Sequence, residues 1–140
     1  MKRLFSVMLA LVLVFTVAGC GAKSKIANTK IDIGESEIFS EEDRNAAVKW
    51  ILERWSKEKT ITKLYSITYA GDEESKYEQD YYSDWEGYSH EEVIVFYIDF
   101  HTARGAGSEG FEGDEDYEEW AQMLGRDDGG EWVFVTGGYG

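Results

Sequence analysis

Only one cysteine, Cys20, occurs in this chain of 140 residues, and proline is absent altogether. No disulfide can form within the chain, so apolar burial alone must hold any folded part together. The same scarcity removes thiolate zinc sites and cysteine nucleophiles from consideration within the fold. His90 and His101 are the only histidines, too few and without the carboxylate spacing for a transition-metal site. Basic residues are scarce as well: 14 Lys and Arg stand against 28 Asp and Glu, a net charge of −14 with neutral His. A surface of that sign repels nucleic-acid phosphates and anionic lipid head groups, which argues against nucleic acid as a partner and against a domain lying flat on anionic lipid. There is no GxSxG elbow, no phosphate-binding loop and no HExxH pair, so no cofactor and no metal are implied. The lack of proline excludes no function.

The one long apolar run stands at the start. Met1-Lys2-Arg3 is a short basic region, and Leu4 through Ala18 is apolar except for Ser6 and Thr16. The run is too short to span a bilayer comfortably as a mature helix and reads as a secretion signal. It closes on Val17-Ala18-Gly19-Cys20, which resembles the lipobox of bacterial lipoproteins. The resemblance implies that the Cys20 thiol takes a diacylglyceryl group and that the signal peptide, residues 1–19, is then cut away. The thiolate is the nucleophile in such a step, and two acyl chains anchor stably where one does not. The expected location is the extracytoplasmic face of the cell membrane, with the bilayer itself as a partner through Cys20. Removing Lys2 and Arg3 from the 14 basic residues leaves 12 against 28 acids, net −16.

Residues 20–37 are polar, rich in small side chains and aperiodic, which predicts a flexible tether; Ile31 and Ile33 alternate with polar neighbours but predict no more than a short edge strand. Residues 38–140 then read as a single domain. Ser40-Glu41-Glu42-Asp43 is a helix start, and Ala47, Val48, Ile51, Leu52 and Trp55 recur on one stripe as far as about Lys57. Thr60 to Ala70 predicts a strand with broken alternation, since Ile61, Tyr65, Ile67 and Tyr69 share a parity that Leu64 does not; a bulge or burial on both faces would account for it. Glu73 to Glu86 returns to a helical period, with Tyr77, Tyr81, Tyr82 and Trp85 in one arc and Gly87 as the stop. Glu92 to Thr102 is the strongest strand and predicts a central position, with Ile94, Phe96, Ile98 and Phe100 facing one way. Ala103 to Asp116 is a long acidic, glycine-rich loop. Tyr117 to Arg126 and Glu131 to Thr136 are joined by Asp127-Asp128-Gly129-Gly130, a turn suited to a hairpin. The predicted fold class is α+β: an amphipathic helix and a shorter second helix packed on a four-stranded antiparallel sheet.

That order of elements, closing on Arg126-Asp127-Asp128-Gly129-Gly130-Glu131-Trp132-Val133-Phe134, is similar to small uncharacterised lipoproteins of clostridia-like bacteria. The closing hairpin also resembles the last two strands of cystatin-like and NTF2-like α+β domains. The resemblance covers residues 38–139. An NTF2-like relationship implies a concave pocket, which in some members carries catalytic Asp and Tyr, although the helices and strands here are fewer than a full NTF2-like cone needs.

Three groups of residues are candidates for function. Tyr97, Asp99 and His101 share one face of the central strand and have the groups for acid–base work, against the plainer reading of a polar pair at a strand end. Glu109, Glu112, Asp114, Glu115, Asp116, Glu118 and Glu119 offer oxygen ligands for Ca²⁺, but the sixth position counted from Asp114 is Glu119 where an EF-hand requires glycine, so a solvated acidic loop is expected. Tyr77, Tyr81 and Trp85 offer a sugar-stacking or partner-docking face, or else pack their rings on the sheet and leave the hydroxyls in water. The reading that follows is a non-catalytic binding module held at the membrane, with an unknown protein, peptide or glycan partner and no nucleic acid. Its expected contact residues are Tyr77, Tyr81, Trp85, Asp114, Glu115 and Asp116. The alternatives are an NTF2-like small-molecule-binding or enzymatic domain, and an envelope immunity or inhibitor protein.

Overall fold

Ser40 opens the first helix as its side chain demands: its hydroxyl accepts from the Asp43 N–H at 3.0 Å, and the Asp43 carboxylate reaches back to the Ser40 N–H. Glu41 and Glu42 add charge at the positive end of the helix dipole. The computed structural model describes residues 24–139, so the expected signal peptide and Cys20 lie outside the described residues. Within them, α1 runs Glu41–Ser56 and buries the expected stripe of Ala47, Val48, Ile51, Leu52 and Trp55. The remaining elements in chain order are β1 (Lys30–Asp32, ahead of α1), β2 (Ile61–Tyr69), α2 (Asp72–Tyr81), β3 (Glu92–Thr102), a 3-10 turn at Ala106–Glu109, β4 (Asp116–Arg126) and β5 (Val133–Gly138).

The fold is α+β, but the expected four-stranded antiparallel sheet is a five-stranded mixed one in the order β1-β2-β3-β4-β5. β1 pairs with β2 in parallel, Ile31 opposite Ile67, and the other three pairings are antiparallel. Parallel neighbours need a crossover, and α1 supplies it. The extra strand comes from the segment expected to be a tether, whose described part is stitched to β2. Leu64 N–H donates to the Lys25 carbonyl at 2.9 Å, and the Thr29 hydroxyl donates to the Leu64 carbonyl at 2.8 Å. Ile26, Ile31 and Ile33 pack against the core. Arg44, buried on α1, donates to the carbonyls of Ile33 and Gly34 and holds the chain as it leaves β1.

β2 resolves its broken alternation with two bulges. Pairing to β3 shifts between Ile61 and Lys63 and again between Leu64 and Ser66, so Thr62 and Tyr65 are the extra residues. Each bulge returns the next apolar residue to the same side, and Ile61, Leu64, Ile67 and Tyr69 are all buried. The larger core lies between α1 and this side of the sheet, where Ile51 and Phe96 are both fully buried as expected. Val93, Val95, Ala121, Met123 and Val135 form a smaller core on the opposite side, so β3 is buried on both faces in its first half, Val93 to Phe96.

α2 covers that second face with Tyr77 and Tyr81 turned away from the sheet. Ser75 and Glu78 point inward, while Tyr77 and Tyr81 face solvent, and the helix ends at Tyr81 instead of Glu86. The Ser75 hydroxyl accepts from the Val95 N–H at 3.1 Å. That bond fixes Ser75, on the inner side of the helix, against β3.

The closing hairpin turns where expected. Gly130 N–H donates to the Asp127 carbonyl at 2.9 Å, and Asp128 and Gly129 have φ of 54° and 63°, the pair of positive values a type I′ turn requires. Trp132 then folds back onto α1, its indole N–H donating to the Asp43 carbonyl at 3.1 Å. The Arg126 guanidinium lies 4.3 Å over the Trp132 ring and bridges Asp43 at 2.8 Å and Glu92 at 2.5 Å, tying the hairpin to the start of α1.

Candidate functional site

Tyr77 and Tyr81 are four residues apart and therefore neighbours on one side of α2. Their rings lie 6.4 Å apart and nearly parallel, and the turns after the helix extend the row. Trp85 stands 5.6 Å from Tyr81 and 5.4 Å from Tyr82, and Tyr88 stands 5.6 Å from Tyr82 and 6.2 Å from Trp85. Tyr82 is the inner member, half-buried against the smaller core. The other four are 61%, 51%, 48% and 40% exposed for Tyr77, Tyr81, Trp85 and Tyr88. Of the two arrangements the residues allow, rings packed on the sheet or rings presented outward, Tyr77, Tyr81 and Trp85 take the second and pack on one another. Contiguous exposed apolar surface of this kind marks interaction sites. The segment that carries it is acidic, with Glu73, Glu74, Asp80, Asp84 and Glu86 in it and Lys76 the sole basic residue of positions 72–88. Beneath the strip, burial and then the Glu74 carboxylate push the Glu78 carboxyl up from its ordinary value.

Asp114, Glu115 and Asp116 do not join this surface. The strip sits by the start of β3, where Gln79 donates to the Glu91 carbonyl, whereas Asp116 pairs with His101 near the strand's other end. Ten residues of strand separate the two regions, roughly 30 Å at about 3.3 Å per residue. The acidic loop is also fastened down. The buried Thr102 hydroxyl donates to the Glu112 carbonyl at 2.6 Å and accepts from the Glu115 N–H at 2.9 Å. Gly113 crosses Arg104 so closely that a Cβ there would collide with its carbonyl. Phe111 tucks its ring 5.6 Å from Phe100 and 5.3 Å from Trp120.

His101 closes the loop, with Nδ1 2.8 Å from Asp116 and Nε2 2.9 Å from Asp114. Only the doubly protonated ring donates to both, so Asp116 first and then Asp114 hold the His101 pKa above its ordinary 6.5. The Tyr65 hydroxyl adds a 3.0 Å bond to Asp116, whose carboxyl is held below its ordinary 3.8 by His101 and then by Tyr65. Asp114 and Asp116 thus pair with His101 while their side chains stay largely exposed.

Tyr97, Asp99 and His101 are not brought together: among the described residues no hydrogen bond joins them. Asp99 instead accepts from the Glu119 N–H at 2.8 Å and braces β4, where Glu119 takes φ of 52°. Among the described residues no group of His, Cys, Asp and Glu side chains is arranged to hold a metal ion. Tyr88 belongs to the aromatic strip although the sequence did not single it out, an aromatic residue just past Gly87 being the available signal, and Tyr82, expected in the helical arc but not among the contact residues, is its inner member. Compared with protein-family models, curated proteins and solved structures, the chain matches none.

The His101 clasp predicts a pH dependence. A raised folded pKa contributes stability that is complete below the ordinary imidazole value of 6.5 and is lost as pH rises through the raised value. The lowered Asp116 carboxyl contributes above 3.8 and is lost as pH falls through its lowered value. The loop should therefore be held best between these ranges. An NMR titration should place the His101 midpoint above 6.5, the melting temperature should decline as pH passes that midpoint, and His101→Ala should remove the decline. A midpoint at or below 6.5 would contradict the clasp.

Proposed function

We propose that this protein is a lipid-anchored, extracytoplasmic binding module whose aromatic strip takes up a lysine- and arginine-rich segment of a partner protein. The observation that carries this reading is the row of rings from Tyr77 to Tyr88, stacked on one another, exposed and set among carboxylates. A cation over an exposed ring gains about 0.5–1 kcal/mol, and several rings with adjacent acids add both contact and long-range attraction. The net charge of −14 favours the same partner. No catalytic role enters this reading. In the same reading the domain is a small relative of cystatin-like and NTF2-like folds, supported by a long helix on a sheet that closes in the tryptophan hairpin.

The lipid anchor also takes on a shape. Residues 24–37 pack on the domain, so the chain between Cys20 and Ser24 reaches at most about 14 Å at roughly 3.5 Å per residue. An acylated Cys20 would hold the domain close above the bilayer and fit a partner that is itself at the membrane.

Titrating the protein with a Lys/Arg-rich peptide while following tryptophan fluorescence tests the surface. Affinity should fall as salt rises, because exposed charges are screened, and Trp85→Ala should weaken binding about twofold to fivefold. Binding indifferent to salt and to Trp85→Ala would defeat the proposal, and saturable binding of an oligosaccharide in place of the peptide would assign the strip to sugar stacking.

A further inference from the structure

The two edges of the sheet are unlike. β1 is three residues long and carries Lys30 and Asp32 as exposed side chains, so shortness and charge both keep another strand from pairing with it. β5 has neither protection. It runs Val133–Gly138, pairs with β4 on one side and, among the described residues, with no strand on the other, so it presents a row of backbone N–H and C=O groups outward. Residues 132–140 are the longest stretch after Lys23 without a charge. Val133, Phe134 and Tyr139 are 46%, 41% and 64% exposed, and apart from the aromatic strip only Ile38 is a comparably exposed large apolar side chain among the described residues. A bulge at Val135 is the one irregularity in the pairing, and Thr136, Gly137 and Gly138 are back in register with β4 beyond it. A Cβ at Gly138 would meet nothing within 4 Å, so no contact inside the domain calls for glycine there. Glycine on an open edge leaves room for another backbone to come close.

We propose that β5 pairs antiparallel with the β5 of a second copy of this chain, about a two-fold axis near the middle of the strand, joining the two sheets edge to edge. Charge selects the occupant. Two copies of net charge −14 repel one another, and an uncharged edge is where they can touch without setting acid against acid. A basic partner gains no such advantage there. The two-fold arrangement also sets Glu131, just ahead of the strand, beside the far end of the other copy's β5 and away from the other Glu131. A contact centred on one strand of 6 residues is small beside the roughly 1,200–2,000 Å² of a standard interface, so the dimer is weak in free solution. The edge shares no residue with the aromatic strip, so the two proposals stand or fall separately.

Sedimentation equilibrium of the chain from residue 20 onward, which contains both cores, tests the pairing, with Cys20→Ala to prevent a disulfide between copies. The mean mass should climb from one copy toward two as the concentration goes from about 10 µM to about 1 mM. Added salt should strengthen the association by screening the repulsion between acidic copies, the reverse of its effect on peptide binding at the strip. Val133→Glu together with Thr136→Glu should weaken the association at least about fivefold, since like charges facing across paired strands are destabilising. Trp85→Ala should leave it unchanged. If the double variant does not fold, hydrogen exchange on the parent chain decides: the β5 amides not bonded to β4 should exchange more slowly at about 1 mM than at about 10 µM. A monomer at every concentration, a mass rise that the folded double variant keeps, a rise that Trp85→Ala removes, or β5 exchange indifferent to concentration would overturn the proposal. A monomer whose β5 amides are instead protected by an alternating Thr-Val hexapeptide would overturn it in favour of a foreign strand.

Discussion

Truncating Phe96 to alanine is expected to cost about 3–5 kcal/mol of unfolding free energy, and Ile51→Ala about 2–5 kcal/mol. Phe96 is fully buried on the middle strand, opposite Tyr69 on β2 and Gln122 on β4, with the Tyr69 ring 5.5 Å away. Removing its ring leaves a cavity that cannot collapse, since the strand is paired on both sides and α1 lies above. Ile51 is fully buried on α1 and closes the same core from the helix side. Domains of this size are stable by only about 5–15 kcal/mol, so either change takes a large share, and no disulfide compensates because Cys20 is the sole cysteine. Urea melts of the two variants measure this directly. Losses under about 1 kcal/mol for both would mean that the core lies elsewhere.

Cys20→Ala should have the largest effect on where the protein is found: loss from the membrane fraction and loss of palmitate label. This follows from the lipoprotein proposal, in which acyl chains on Cys20 supply the hold. Among the described residues no helix is long and apolar enough to cross a membrane. A single acyl chain binds a bilayer only marginally and two bind stably, so removing the acceptor thiol should act as a switch and not as a graded weakening. Fractionation of cells grown with labelled palmitate reads both effects. Label retained on the Cys20→Ala protein, or unchanged partition into membranes, would defeat the lipoprotein proposal.

Elements governed by neighbours in the chain were legible from the residues. The capping box at Ser40 and the stripe from Ala47 to Trp55 act over three and four positions, and α1 formed as they required. β3 carries enough β-branched and aromatic residues to stand as a strand by itself, and the Asp128-Gly129 pair has the backbone freedom its turn demands. β1 was legible only as an alternative, a short edge strand at Ile31 and Ile33 set against the expected tether. Three residues hold too little pattern to specify a strand, and it forms because the edge of β2 offers unpaired backbone groups and the core has room for Ile31 and Ile33.

The candidate surface divides the same way. Composition and spacing alone determined a sole cysteine at the end of an apolar run, an excess of acid, and a helical row of aromatics at Tyr77, Tyr81 and Trp85. Which way that row faces was decided by the tertiary structure, because Ser75 bonds the Val95 N–H and turns the rings outward. Tertiary structure likewise chose Asp114 and Asp116, 13 and 15 residues along the chain, as partners for His101 in place of Asp99. It also buried Gln122 and gave its Oε1 a bond from the Trp55 indole, 67 residues away. Periodicity and capping are interactions between near neighbours, readable in order along the chain. Facing, register and the pairing of buried polar groups depend on residues that meet only once the sheet has assembled.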